Sequence, residues 1–422
     1  MSSLDHIRAL SEGIGPRGSA TSEEAKAADY VAEQLAALGA SPERQIFLSA
    51  TSAYRPYALA AALALLSLFL FWQPQPVGAA AATLITTVTL ASVLLEMQFR
   101  PNLLRWLLPF EPSQNVRAVI PCQQAPQTAC DEDAPMGAVA PPAQCPAAVV
   151  ITAHLDTHRT PLLFRSPFWM TVFRRLMPAG LGAMAVMLAL FFVGIFISAP
   201  ALRLVALAPG LVLVAVVVLM DQADLTPYTK GANDNASGVA ATLWLAEQLT
   251  HAPLQHTQVH LVFTGCEEVG CYGADAYFSA NRAGLQNAVH IVIDQIAAAG
   301  AQPVVVRAER FLVPAHSDAG LLAVAEKLIA AHPEWGARVV NLNAGYGELS
   351  VGVKHGLRAI AFGAIAPDGS SPHWHQPSDV MDAIDESTLV RVQEMVCAFL
   401  SEIDRQNAPD LPDMPAGGAT TA

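Results

Sequence analysis

Five places in this 422-residue chain put histidine or acidic side chains straight after apolar runs or inside turns of small residues. The first is Ala147-Ala-Val-Val-Ile-Thr-Ala-His154-Leu-Asp156, an apolar stretch that reads as a strand and delivers an imidazole to its carboxyl end, where α/β sheets gather their ligands. Asp156, two residues on, can accept the other imidazole N–H and fix the tautomer. The second is Lys230-Gly231-Ala-Asn-Asp234-Asn-Ala-Ser-Gly238, a turn in which the backbone can approach an ion closely. The others are Val-Phe-Thr-Gly-Cys-Glu267-Glu268, Ile-Val-Ile-Asp294-Gln, and Pro-His373-Trp-His375-Gln-Pro-Ser-Asp379.

Singly, each has an ordinary explanation. Asn235 or Ser237 can cap a following helix, and two adjacent surface acids can splay into water. Held at about 4 Å, however, two carboxylates repel by roughly 4 kcal/mol at an effective dielectric of about 20. Together the five supply two histidines and three carboxylates as ligands, with one carboxylate to spare. That set suits two divalent ions roughly 3.5–4 Å apart sharing a bridging carboxylate, and the cations relieve the repulsion.

These residues need strands and helices to converge. Glu24–Leu38 reads as a helix behind a Thr21/Glu24 capping pair, and Arg44–Leu48, Asn115–Ile120 and Ala147–Ala153 read as strands. From residue 237 the chain alternates: helix Ser237–Leu249, strand Gln258–Thr264, helix Gly273–Ala280, strand Ala288–Ile293, helix Ser317–Ala331, strand Ala359–Gly363, helix Ser387–Ile403. Such alternation predicts an α/β three-layer sandwich with a mostly parallel central sheet.

Four uncharged runs interrupt it. Tyr57–Trp72 and Val77–Leu95 flank a Gln-Pro-Gln-Pro turn, and Pro178–Ala199 and Leu204–Met220 flank Pro200 and Arg203. About 20 apolar residues cross a ~30 Å hydrocarbon layer, so the runs predict four transmembrane helices as two inserted hairpins. The organisation is then an α/β domain in three pieces (1–50, 111–160 and 221–406), hairpins at 57–96 and 178–220, and a disordered tail at 407–422. Asn102–Phe110 and Ser166–Met177 mix Trp, Phe, Leu and Arg in the manner of interfacial segments.

Composition agrees: 53% of residues are hydrophobic and 14% charged, with mean hydropathy +0.37, against about 25% charged in soluble domains. A net charge of −13 without a basic stripe argues against nucleic acid as a partner. The lipid bilayer is an expected one; oligomeric state is not indicated. Six irregularly spaced cysteines suggest reduced thiols. The amino-terminal residues do not read as a signal peptide. Arg55, Arg100, Arg105, Arg159, Arg165, Arg174, Arg175 and Lys230 flank the outer ends of the hairpins, which predicts cytoplasmic soluble parts by the positive-inside rule.

The ordered motifs His154-Leu-Asp156, Gly231-Ala-Asn-Asp234-Asn-Ala-Ser-Gly238, Glu267-Glu268, Ile293-Asp294 and His375-Gln-Pro-Ser-Asp379 resemble those of the di-zinc aminopeptidase and glutamate carboxypeptidase family, peptidase family M28. Gly15-Pro-Arg17-Gly18 resembles its amino-terminal region. The resemblance implies a membrane-anchored metallo-exopeptidase acting on peptides, foremost an aminopeptidase, with two zinc ions or other divalent metals. It implies Asp234 as the bridge, His154 and Asp294 at one ion, Glu268 and His375 at the other. Glu267 would be the general base, Asp156 its companion in the catalytic set, and Tyr346 a candidate oxyanion stabiliser. His375 is preferred to His373 because the family's ligand precedes a Pro-x-Asp turn. Competing readings are a receptor or scaffold that keeps the fold without catalysis, and an acyl transferase like glutaminyl cyclase.

Overall fold

The computed structural model describes residues 1–123, 145, 147–310, 313–343 and 345–408. The expected disordered tail lies almost entirely outside them, as does Cys130.

Nine strands form one twisted sheet: β1 Glu43–Ala50, β2 Phe110–Ile120, β3 Ala147–His154, β4 Thr257–Thr264, β5 Val289–Ile293, β6 Gln302–Glu309, β7 Ala315–His316, β8 Arg338–Leu342 and β9 Arg358–Ile365. Their order is β1-β2-β4-β3-β5-β9-β6-β7, with β8 paired to β6. The four central strands β4-β3-β5-β9 run parallel, and β1, β2, β6 and β7 join antiparallel. The sheet is therefore parallel where the site is built and mixed at its flanks. Strands β6, β7 and β8 were not anticipated: Gln302–Glu309 follows β5 after a short turn instead of a helix, breaking the alternation that identified the others.

Period-2 alternation divides the core. Val149, Ile151 and Ala153 of β3 and Val259, Leu261 and Phe263 of β4 pack under α1 Ser3–Arg8, α2 Ser22–Ala37, and further helices of the same face. Val150 and Val262 point the other way. The chain's two inserts enter between β1 and β2 and after β3. The first carries α3 Arg55–Phe71, α4 Val77–Glu96 and the short α5 Leu103–Leu107; the second carries α6 Pro167–Gly194 and α7 Pro200–Asp224. Beyond them, α8 Gly238–His251, α10 Ala319–Ala331 and α12 Glu386–Gln406 join the first face, and α9 Tyr272–Asn281 and α11 Glu348–Lys354 cover the second. The outcome is a three-layer sandwich.

Three helices, α4, α6 and α7, are long and apolar enough to cross a membrane; α3, at 17 residues, is shorter. The expectation of four transmembrane helices is corrected accordingly to three candidates. The segment Ser166–Met177 forms the first turns of α6, which continues through Pro178. At 28 residues α6 is about 42 Å long by its rise per residue, more than one hydrocarbon layer. Small residues seal the bundle: Ala58, Ala61 and Ala64 of α3 and Ala79 and Ala82 of α4 are buried, which lets backbones approach as membrane helices require. Arg105 of α5 is tied to Glu96 at the end of α4 at 2.7 Å, while Trp106 is 78% exposed.

The cysteines depart from expectation as well. Cys122 and Cys145 form a disulfide, whereas Cys266, Cys271 and Cys397 are free.

Candidate metal centre

His154 closes β3, Glu267 and Glu268 follow β4, Asp294 follows β5, and His375 lies in the loop after β9. Asp234 lies in the turn ahead of α8. All six thus meet over the carboxyl ends of the parallel strands, where no side chain has to cross the sheet.

Asp234 is the centre of the arrangement. Its Oδ1 is 3.2 Å from His154 Nε2, which is in turn 3.4 Å from Asp294 Oδ1. Its Oδ2 is 3.4 Å from His375 Nε2, which is 3.2 Å from Glu268 Oε2. Each oxygen of one carboxylate therefore faces its own histidine–carboxylate pair. Asp234 Oδ2, Glu268 Oε1 and Asp294 Oδ1 are buried with no hydrogen-bond donor among the described residues. Buried acceptors without donors are costly, and divalent cations would satisfy them. Donor chemistry and geometry fit the metal set that the motifs imply.

The pKa pattern follows from crowding. Burial, and then the Asp234 charge, push Glu268 up to about 7. Burial raises Glu267 well above the carboxylate range; His154 opposes this, and Glu268 and Asp294 add to it. Asp234 is the exception: although burial works against its charge, the neighbouring His154 and His375 imidazoles hold its pKa low.

The loops are fixed by neighbouring side chains that do not themselves face the ion positions. Asp156 Oδ1 accepts from the Glu267 amide at 3.0 Å, and Oδ2 from the Glu268 amide at 3.1 Å and Ser19 Oγ at 2.6 Å. His154 Nδ1 lies 3.1 Å from the Asp156 carbonyl and 3.5 Å from its carboxylate. Asp156 thus orients both the imidazole and the Glu267-Glu268 turn, the second being a contact the sequence did not suggest. Asp379 accepts from the Asn233 and Asp234 amides at 2.7 and 3.1 Å. Arg17, 1% exposed, donates to the carbonyls of Leu10, Gly15, Leu155, Lys230 and Gly231. It clamps the His154 loop to the Asp234 loop. The flanking glycines follow from this closeness: a Cβ on Gly231 would lie 2.3 Å from Thr157 Cγ2, and one on Gly238 2.4 Å from the Ile293 carbonyl.

His158 was missed, although it lies one helical turn's spacing after His154 in sequence. Its ring stacks on His375 with centroids 3.5 Å apart. Nδ1 donates to the Arg159 carbonyl at 2.7 Å, so Nε2 accepts the Tyr54 hydroxyl at 3.0 Å. Glu267 receives the Cys271 thiol on Oε1 at 3.2 Å. Tyr346 lines the same space, edge-on to Phe99. His373, also on the lining of the cleft, is hydrogen-bonded through Nδ1 to Ser378 Oγ at 2.9 Å.

Two spaces meet here. A polar cleft of about 830 Å³ is lined by Asp234, Glu267, Glu268, Asp294 and Glu309 and also by Arg165 and Arg174. An apolar cavity of about 160 Å³ leads from Glu267, Glu268 and His375 into the helical bundle.

Residues 214–400 match Peptidase family M28. That segment contains Asp234, Glu267, Glu268, Asp294 and His375, while His154 and Arg17 precede it. A probable lipoprotein aminopeptidase of Mycobacterium tuberculosis, LpqL, is 29% identical over 190 residues, covering 39% of this chain and 38% of the relative. The match therefore spans well under half of that protein. Among solved structures, a zinc aminopeptidase from Bacillus subtilis superposes with a TM-score of 0.54 at 15% identity over 95% of this chain and 94% of its own. A glutaminyl cyclase from Porphyromonas gingivalis does so with a TM-score of 0.52 at 16% identity, over 95% and 97% respectively. At such identities the superpositions establish the fold.

Proposed function

We propose that this chain is a membrane-anchored metallo-exopeptidase, an aminopeptidase that binds two zinc ions through His154, Asp294, Glu268, His375 and a bridging Asp234. The observation that carries the reading is that the two oxygens of Asp234 face two separate histidine–carboxylate pairs with Glu267 beside them. The family match and the aminopeptidase relative support it.

The ions, when bound, would polarise the scissile carbonyl and supply a water acidic enough to attack near neutral pH. Glu267 takes the proton from that water and passes it to the departing amine. Burial makes Glu267 a stronger base than a solvated carboxylate, and the Cys271 thiol fixes its rotamer. Asp156 keeps Glu267 and Glu268 in place through their amides. His158, stacked on His375 with its own lone pair engaged by Tyr54, orients that imidazole. Tyr346, in the lining beside Glu267 and Glu268, would donate to charge developing on the carbonyl oxygen.

The α4, α6 and α7 helices anchor the domain. The Lys/Arg distribution favours a cytoplasmic soluble domain; the Cys122–Cys145 disulfide favours an oxidising compartment. Labelling Cys397 with a membrane-impermeant maleimide in intact cells decides the side.

Hydrolysis of aminoacyl-amides and dipeptides by purified protein tests the activity, with zinc measured on the same sample. Activity that survives removal of all bound metal would sink the mechanism. Cyclisation of amino-terminal glutamine without hydrolysis would favour the acyl-transfer chemistry instead.

A further inference from the structure

The apolar cavity is walled by every helix of the bundle: Tyr57 and Ala61 of α3, Val93 of α4, Met184 of α6, and Leu213 and Met220 of α7. Its floor at Leu213 is 11 residues from Asp224, where α7 ends in an ion pair with Arg55 at 2.8 Å. That is about 16 Å along the helix at its ordinary rise, the thickness of roughly one leaflet of a ~30 Å hydrocarbon layer. Its upper end is Glu267, Glu268 and His375. A volume of about 160 Å³ compares with the roughly 150 Å³ apolar cavities that hold a benzene ring, space for about six carbons.

We propose that this cavity is the acyl-chain subsite of the hydrolase, and that the substrate is an amphiphilic amide: a fatty-acyl chain on the acyl side and a polar, anionic amine such as an amino acid or short peptide on the other. The inference rests on the metallohydrolase reading above but not on its aminopeptidase assignment, since an acylated substrate presents no free amino terminus. The small apolar cavity suits a bounded apolar group, and the larger, more polar cleft suits the leaving group. Arg165 and Arg174 stand on that cleft, neither paired with a carboxylate among the described residues. They give a carboxylate of the leaving group a counter-charge in a chain that is otherwise strongly acidic. The chain enters the site from the bilayer side. Hydrolysis adds one water across the amide, R–CO–NH–R′ + H₂O giving R–COO⁻ and R′–NH₃⁺, with Glu267 carrying the proton to nitrogen.

The test uses zinc-loaded full-length protein in nanodiscs with N-acetyl-, N-butanoyl-, N-hexanoyl- and N-octanoyl-alanine, and Leu-Ala in parallel. Burying each methylene is expected to raise kcat/KM about fourfold, levelling off near six carbons. A61F and M184W fill the cavity and should lower the octanoyl-to-acetyl ratio at least tenfold; the ratio also cancels partition of the substrate into lipid. An unchanged ratio in both folded variants overturns the proposal. Cleavage of Leu-Ala with no acyl-alanine cleaved, or with no chain-length dependence, overturns it and leaves the hydrolase reading intact. A separate measurement avoids turnover. Photolabelling with octanoyl-alanine bearing a terminal diazirine should mark peptides containing Met184 or Leu213–Met220, and unlabelled octanoyl-alanine should compete. Label confined to outward residues such as Leu66 and Phe69, without competition, overturns the proposal.

Discussion

Replacing Arg17 by lysine should loosen the metal centre without touching a ligand. The guanidinium is fully buried and, although burial lowers its pKa to about 10 against the pull of Asp379, Asp156 and Asp234, it stays charged at neutral pH. It satisfies five carbonyls at 2.9–3.0 Å. Lysine has three donors, so at least two carbonyls lose their partner, each at about 1–3 kcal/mol when buried. R17K is therefore expected to cost about 4 kcal/mol of stability. Leu155 lies on the His154 loop and Lys230 and Gly231 on the Asp234 loop, so their registration should suffer too. Loss of such supporting contacts commonly weakens metal binding by about 10–100-fold. Denaturant unfolding in detergent gives the first quantity, and zinc competition against a chromogenic chelator gives the second. Zinc affinity within about twofold of the parent would refute the reasoning, because the two loops would then be held by something other than this clamp.

Three further outcomes are expected. E267Q should retain bound zinc and lower kcat by about 10²–10⁴-fold, the range for a lost general base; a parent-like kcat would reassign the base. Glu348, which accepts the Thr264 hydroxyl at 2.5 Å, is pushed by burial from 4.5 up to about 7. The folded chain thus binds a proton that the unfolded chain has released between those values, and stability should fall as pH rises through that window, by about 3 kcal/mol. Unfolding of chelated protein at several pH values should show the slope, and E348Q should flatten it. Reducing the Cys122–Cys145 disulfide, whose partners are 23 residues apart, should remove about 3 kcal/mol on the loop-entropy model, read as the shift of the unfolding midpoint with reductant.

The ligand loops were legible because apolar strands pointed to them. His154, Glu267-Glu268 and Asp294 each close a run that has no other place than the centre of a sheet, and a buried acid at such an end needs a counter-charge. His158 and Arg17 were harder to read. Their importance lies in contacts with Tyr54, His375 and five carbonyls from distant segments, which no local pattern records. The long apolar helices were evident from their lack of charge, but not their ends: α6 begins at Pro167 and runs through Arg174, Arg175 and Pro178 without a break. Strand β6 escaped because its neighbour in the sheet, β9, arrives some fifty residues later. The disulfide partners flank a Pro- and Ala-rich stretch whose composition says nothing of their proximity.

The position of α6 and α7 has a consequence for biosynthesis. The chain passes through them after making His154 and before making Asp234, so these two residues can meet only once the hairpin has folded back on itself. A nascent chain that has not yet integrated its second hairpin therefore has no assembled catalytic centre. On the proposed membrane-anchored reading, insertion would act as an interlock, with competence to cut arising only once the hairpin is in the bilayer.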